Sequence, residues 1–263
     1  MSATPHADPG RGVFETMLVL AGRPVELDAH IERLTASLAA LYDSPLPSET
    51  RGTILERAKE VEHGKLRLTA RPARGQIELK VTATQIDEAS VFPGPERGIA
   101  LRSFVVEGGL GDHKWADRRL LERLTGVAPA GELPLLIDAD GAALEAARGS
   151  VFAIRAERLV TPPADGRILP SIARRQAIEV AATEDIEVSE ERLTLEGLSE
   201  GEVFLAGSVR GIEPVRTLDG AELRPSGEIS ERIADGLARR WRASATEPVA
   251  AAAGGRRAGR PGR

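Results

Sequence analysis

An α+β fold in two units is what this sequence predicts, on three observations. Strand-like segments, such as the alternating 66–70 and 76–83, are interleaved with segments of helical period. A glycine-rich stretch at 108–111 interrupts the pattern near the middle. The length, 263 residues, suits one large or two modest domains. The expected division is an N-terminal α/β unit over 1–107, a linker over 108–113, a C-terminal unit over 114–245 and a tail over 246–263.

Residues 1–12 are polar and rich in turn formers, and read as flexible. VFETMLVL at 13–20 reads as a strand, with AGRP at 21–24 turning into a second strand at 25–27. Asp28 is placed to cap a helix over 29–41, whose Ile31, Leu34, Leu38 and Leu41 share one face. A further helical period covers 50–61, and 66–70 with 76–83 form a hairpin across RPARG at 71–75. A strand at 100–105 completes the first unit.

Beyond the linker a helix is expected over 115–124, then short strands at 133–138, 149–155 and 158–161. A helix over 172–182 follows GRILPS at 166–171, and 187–193 reads as a strand before a helical turn at 194–198. The segment 202–206 is a strand running into Gly207 and Ser208, and 229–243 is a closing helix. From 246 onward Pro, Ala, Gly and Arg dominate without an apolar period, as in a disordered tail.

Composition removes several classes. With no cysteine, disulfides, thiolate metal sites and a cysteine nucleophile are excluded. Four scattered histidines point away from a metal centre. A net charge of −5 gives no global basic footprint for nucleic acid. No apolar run reaches membrane-spanning length, and the N-terminus lacks the apolar core of a signal peptide. A cytoplasmic protein without nucleic-acid or membrane partners is expected.

Lys114 is a rare lysine in an arginine-rich chain, and it follows Gly108, Gly109 and Gly111. An amine held close to a small molecule suits attack on an aldehyde, followed by proton transfer. Residues 166–174 bring a turn to the start of a helix, where free amides and the helix dipole favour an anion.

Six segments occur together in one order: GRGVFETM ending at 17, LDAHIERL at 27–34, HKWADRRLL at 113–121, ALEAARGSVF at 143–152, DGRILPSIAR at 165–174 and EVFLAGSVRGIEPV at 202–215. In order and spacing the chain resembles the fold-type IV pyridoxal-phosphate enzymes. That family includes branched-chain and D-amino-acid aminotransferases and 4-amino-4-deoxychorismate lyase. The resemblance implies a small α/β sandwich domain, a larger domain with a barrel-like sheet and helices, and pyridoxal 5′-phosphate as cofactor. It also implies a homodimer.

By the same resemblance Lys114 is the Schiff-base lysine and Glu145 pairs with the pyridine nitrogen. The amides of Ile172 and Ala173, with Arg33 and Ser208, bind phosphate, and Leu169 lies against the ring. HKWADRRLL is most similar to the lyase branch, with Asp117 where asparagine is frequent and Arg119 where aminotransferases often carry tyrosine. Arg67, Arg102 and Arg118 are candidates for the substrate carboxylates. The expected activity is release of 4-aminobenzoate and pyruvate, in folate synthesis, with a possible aminodeoxychorismate synthase partner. An amino-acid aminotransferase and a non-catalytic or accessory cofactor-binding subunit stand as alternatives. Members of the family usually begin with another strand or hairpin before GRGVFETM, which implies that either the first sheet is shorter here or the partner subunit covers the gap, with a more open site on that side.

Overall fold

The computed structural model describes residues 6–246. The first unit is built from β1 (Val13–Leu20), β2 (Arg23–Pro24), α1 (Leu27–Tyr42), α2 (Thr50–Ala58), β3 (His63–Ala73) and β4 (Gln76–Gln85). Its strands form an antiparallel sheet in the order β2-β1-β3-β4, with Val13 opposite Ala70 and Leu20 opposite His63. Both helices pack on one face. There Val13, Met17 and Val19 of β1 and Leu66 and Leu68 of β3 meet Leu34, Leu38 and Ile54. The other face of β1 presents Phe14 and Thr16, as the two-residue period of a strand requires. α1 begins at Leu27, two residues earlier than expected, after Glu26 in the left-handed region. Asp28 therefore lies in the first turn, not at the cap.

The second unit contains β5 (Ile99–Val105), α3 (Arg119–Val127), β6 (Glu132–Ile137), β7 (Ala142–Ala146), β8 (Gly149–Arg155), β9 (Arg158–Thr161) and α4 (Ile172–Thr183). It continues through β10 (Val188–Glu190), β11 (Leu193–Thr194), α5 (Leu195–Ser199), β12 (Glu202–Gly207), β13 (Gly211–Leu218), β14 (Ala221–Glu222) and α6 (Glu228–Thr246). Strands β8, β12, β13, β5, β6 and β7 pair in that sequence, and β7 pairs back with β8 to close a barrel. Val151 and Ala153 of β8 and Val203 and Leu205 of β12 fill its interior with Leu101, Leu135 and Val215. The alternate residues Phe152 and Phe204 face outward, stack at 5.1 Å between centroids, and pack against α4 and α6 beside Trp241.

Two local expectations are corrected, and two strands that the sequence reading missed are present. The strand at 99–105, read as the end of the first unit, pairs with β13 and β6 inside the barrel. The helix expected over 115–124 starts only at Arg119, because Trp115 is extended, bridges Val13 and is buried in the first unit's core. β7 escaped the sequence reading because AALEA is fully buried yet has no β-branched or aromatic residue. β13 was hidden by Pro214, which precedes the point where the ladder to β5 begins, at Val215 opposite Ile99. The expected tail, apart from Thr246 at the end of α6, and residues 1–5 lie outside the described residues.

Phe204 has no exposed surface and anchors the layer between barrel and helices. Phe204→Ala is expected to cost about 3–5 kcal/mol of stability, measured by urea unfolding followed by circular dichroism. A loss below about 1 kcal/mol would show that this layer is not tightly packed.

Candidate active site

The backbone at Lys114 is held from two directions. Upstream, Gly109 has φ of 65°, and a Cβ there would stand 2.1 Å from the carbonyl oxygen of Arg167. The linker thus lies directly on the turn before α4, where Gly111 N–H donates to the same carbonyl at 3.3 Å. On the other side, Phe14 N–H donates to Lys114 C=O at 2.8 Å and Ala116 N–H donates to Gly12 C=O at 2.9 Å. Trp115 is buried, and its indole N–H donates to Leu110 C=O at 3.0 Å. Extended backbone sends neighbouring side chains to opposite faces. With Trp115 in the core, Lys114 projects into a cavity of about 280 Å³ between the two sheets.

Glu145 faces the same cavity from β7, and one of its oxygens accepts from Leu169 N–H at 3.4 Å. Burial pushes the Lys114 amine down from the ordinary lysine range to about 8; Arg33 and Arg118 add to this, while Glu15 and Glu145 oppose it. Burial pushes the Glu145 carboxyl up to about 7, against the pull of Lys114, the Leu169 amide, Arg118 and Arg33. Two groups that ordinarily titrate far apart are thereby brought near neutrality, the condition for moving protons at physiological pH.

Leu169 and Ser171 line the wall where α4 starts. Ser171 is the N-cap, its hydroxyl accepting from Arg174 N–H at 3.3 Å. Ile172 and Ala173 occupy the first turn behind it, where amides have no intrahelical acceptor. Arg33 lines the cavity near this turn, and one of its Nη groups donates to Pro170 C=O at 3.2 Å. Ser208 lies on the adjoining wall, and its carbonyl accepts from Leu18 N–H at 3.2 Å.

Arg67 and Arg118 approach the ring of Phe14 at 3.8 and 5.8 Å from its centroid, and both line the cavity. Arg118 donates to Ala147 C=O at 2.6 Å, whereas the Arg67 guanidinium has no hydrogen bond or ion pair among the described residues. Burial lowers the pKa of both. Arg102 does not join them. It lies on β5, bonds Glu132 at 2.8 Å and stands 3.8 Å from Asp219, so its charge is spent outside the cavity. Asp117 is likewise committed: Arg119 binds it at 2.6 Å and holds it well below the usual carboxylate range, and Asp8 N–H donates to it at 3.0 Å. This ties down residues 6–12, expected to be flexible, and His6 and Ala7 line the cavity mouth. Sequence reasoning assigned no role to Phe14, His113 or Ser171, all of which line the cavity.

This donor set fits pyridoxal phosphate. There is an amine for the aldehyde, a buried carboxylate for the ring nitrogen, and a helix start with Arg33, Ser171 and Ser208 for the phosphate. Among the described residues no group of acidic, histidine or cysteine side chains is arranged to hold a metal. No helix there is long and apolar enough to cross a membrane. With added pyridoxal phosphate, borohydride is expected to fix one pyridoxyl group on the Lys114 peptide and none in Lys114→Ala, as read by mass spectrometry. The capture rate should rise with pH and level off above about 8, where the depressed amine has lost its proton. A rate still climbing toward about pH 10, the ordinary lysine range, would contradict that environment.

The sequence matches the model of the amino-transferase class IV family over residues 12–218. It is 29% identical over 247 residues to a putative branched-chain-amino-acid aminotransferase of Methanocaldococcus jannaschii, covering 85% of each chain. It is 28% identical over 232 residues to the aminodeoxychorismate lyase of Bacillus subtilis, covering 80% of this chain and 78% of that one. A solved hypothetical aminotransferase from Mycobacterium tuberculosis shares the fold with a TM-score of 0.79 at 23% identity, over 88% of this chain and 89% of that one. The similar proteins are thus divided between lyases and aminotransferases. Fold, cofactor chemistry and sequence agree on the coarser statement: this chain belongs to the amino-transferase class IV family of pyridoxal-phosphate enzymes.

Proposed function

We propose that this enzyme is a 4-amino-4-deoxychorismate lyase, releasing 4-aminobenzoate and pyruvate. The observation that carries this reading is Arg67, a guanidinium laid on Phe14 with no counter-ion among the described residues, facing the same cavity as Arg118 and Lys114. A half-buried cation without a counter-ion is incompletely solvated, so the site favours a ligand that brings the missing negative charge. Aminodeoxychorismate carries two carboxylates, one on the ring and one on the enolpyruvyl group. An aliphatic amino acid carries one carboxylate and would place an apolar side chain among these cations.

When bound, pyridoxal phosphate acts as an electron sink for the carbon bearing the substrate amine. In this reading Arg67 and Arg118 hold the two carboxylates and set which face of the ring meets Lys114. The Lys114 amine, whose neutral form is made accessible because burial lowers its pKa toward neutrality, takes the C4 proton. As the neighbouring C3–O bond breaks, that electron pair makes the ring aromatic and the enolpyruvyl group departs. Lys114 then returns the proton toward the departing group, which becomes pyruvate. Glu145, buried beside Leu169 with its carboxyl pushed up to about 7, would be the partner of the ring nitrogen and would share a proton with it. The reading places the product in folate synthesis. A homodimer and an association with the synthase that makes the substrate are proposed with it, both open to light scattering on the purified protein.

With aminodeoxychorismate alone, turnover is expected to continue for many cycles and give aminobenzoate and pyruvate in equal amounts. Rapid bleaching of the cofactor by an amino acid, restored by a keto acid, with no aminobenzoate formed, would assign the chain to the aminotransferases. Binding of the cofactor with neither reaction would make it a non-catalytic or accessory subunit. Arg67→Ala should raise KM for aminodeoxychorismate about 10- to 100-fold, the worth of one hydrogen-bonded charge, and an unchanged KM would remove Arg67 from the substrate site. Glu145→Ala should still take up pyridoxal phosphate while losing most turnover; full turnover would show that another group partners the ring nitrogen.

A further inference from the structure

A buried carboxylate that this chemistry does not use stands directly behind the cavity. Glu15 is 1% exposed and sits on the α1 face of β1 with Val13 and Met17, between Phe14 and Thr16 on the cavity face. Its oxygens are occupied by two side chains one turn apart on α1. His30 Nδ1 lies 2.7 Å from Oε2, while Arg33 donates through Nε to Oε1 at 2.8 Å and through Nη2 to Oε2 at 2.6 Å. His30 is also 1% exposed, so this cluster is closed to water on its far side. Only Arg33 reaches through to the cavity, where its Nη1 donates to Pro170 C=O at the turn before α4.

Two parallel bonds to one carboxylate fix the plane of a guanidinium as well as its position. Arg33 has five N–H groups. Two are taken by Glu15 and one by Pro170, which leaves one on each terminal nitrogen, on the edges turned away from the Glu15 carboxylate. A free arginine would lose rotamer entropy each time it captured an anion, whereas a clamped one has lost it on folding. His30 fixes the carboxylate in turn, so that it cannot rotate away from Arg33. We propose that Glu15, locked by His30, is a positioning residue that presets Arg33 to receive the phosphate of the cofactor. This rests on the reading of Arg33 as a phosphate-binding residue.

The test is the affinity of the full chain for pyridoxal phosphate relative to pyridoxal, each titrated by absorbance after bound cofactor has been exchanged out. Pyridoxal offers the same aldehyde and ring without the phosphate, so the ratio isolates the phosphate contacts. Arg33→Ala is expected to lower this ratio about 30-fold, and Glu15→Gln about tenfold. Adding Arg33→Ala to Glu15→Gln should lower the ratio well short of the product of the two, because both act through one guanidinium. If Glu15→Gln weakens both ligands equally, the carboxylate is only structural and the proposal is overturned. An unchanged ratio in Arg33→Ala would instead overturn the reading of Arg33 itself, and the two failures are distinguishable. Should Glu15→Gln not fold, Glu15→Asp keeps the charge but withdraws it by one methylene, and the same drop in the ratio is expected.

Discussion

The short antiparallel contact between residues 12–14 and 114–116 is the constraint on which the site depends. Two backbone bonds, Phe14 to Lys114 and Ala116 to Gly12, dock the lysine onto the first strand of the other unit. Each is worth only about 0.5–1.5 kcal/mol net, so they do not hold it alone. Burial of Trp115 in the core under β1 makes the contact durable, and the strand period then leaves Lys114 no direction but the cavity. The same strand carries Phe14 toward the cavity and Glu15 toward α1. One element thus sets the lysine, the aromatic ring against which cations gather, and the carboxylate behind Arg33.

The cavity inverts the charge of the molecule around it. The chain carries a net charge of −5, yet Lys114, Arg33, Arg67 and Arg118 converge on one space. Most carboxylates there are already engaged: Asp117 by Arg119, and Glu213 by Arg148 at 2.6 Å. Glu145 alone faces the cavity without an ion pair among the described residues. Burial and, behind it, repulsion between like charges lower the pKa values of Lys114 and Arg118, and burial alone lowers that of Arg67. An anionic ligand relieves that repulsion, which is why the arrangement suits a phosphate and carboxylates together.

The barrel serves the site by holding the turn before α4. Arg167 bonds Asp165 at 2.6 Å and Asp138 at 3.0 Å, and its carbonyl receives the linker at Gly111. Asp138, at the end of β6, also accepts from Gly108 N–H at 3.0 Å. The linker that delivers Lys114 and the turn that starts α4 are therefore braced against the same few atoms. Their separation is set by packing between units, with little freedom left to either segment.

Much of the local structure was legible because it depends on neighbours in the chain. The apolar run of β1, the alternation of the hairpin, the apolar face of α1, and β8 and β9 to the residue all follow from local pattern. Six ordered segments sufficed for the family, its cofactor and the fold. Partner choice was not legible, because it depends on residues far away in sequence. Leu66-Arg67-Leu68 and Leu101-Arg102-Ser103 read alike, each an arginine on a short strand beside leucine. Only the assembled sheets decide that Arg67 lies over Phe14, while Arg102 sits in the barrel between Glu132 and Asp219. The sequence by itself determined most of the local elements, the family and its cofactor. Tertiary structure decided which charges meet a counter-ion and which are left facing the cavity, because that pairing is set by distances between strands that share no local pattern.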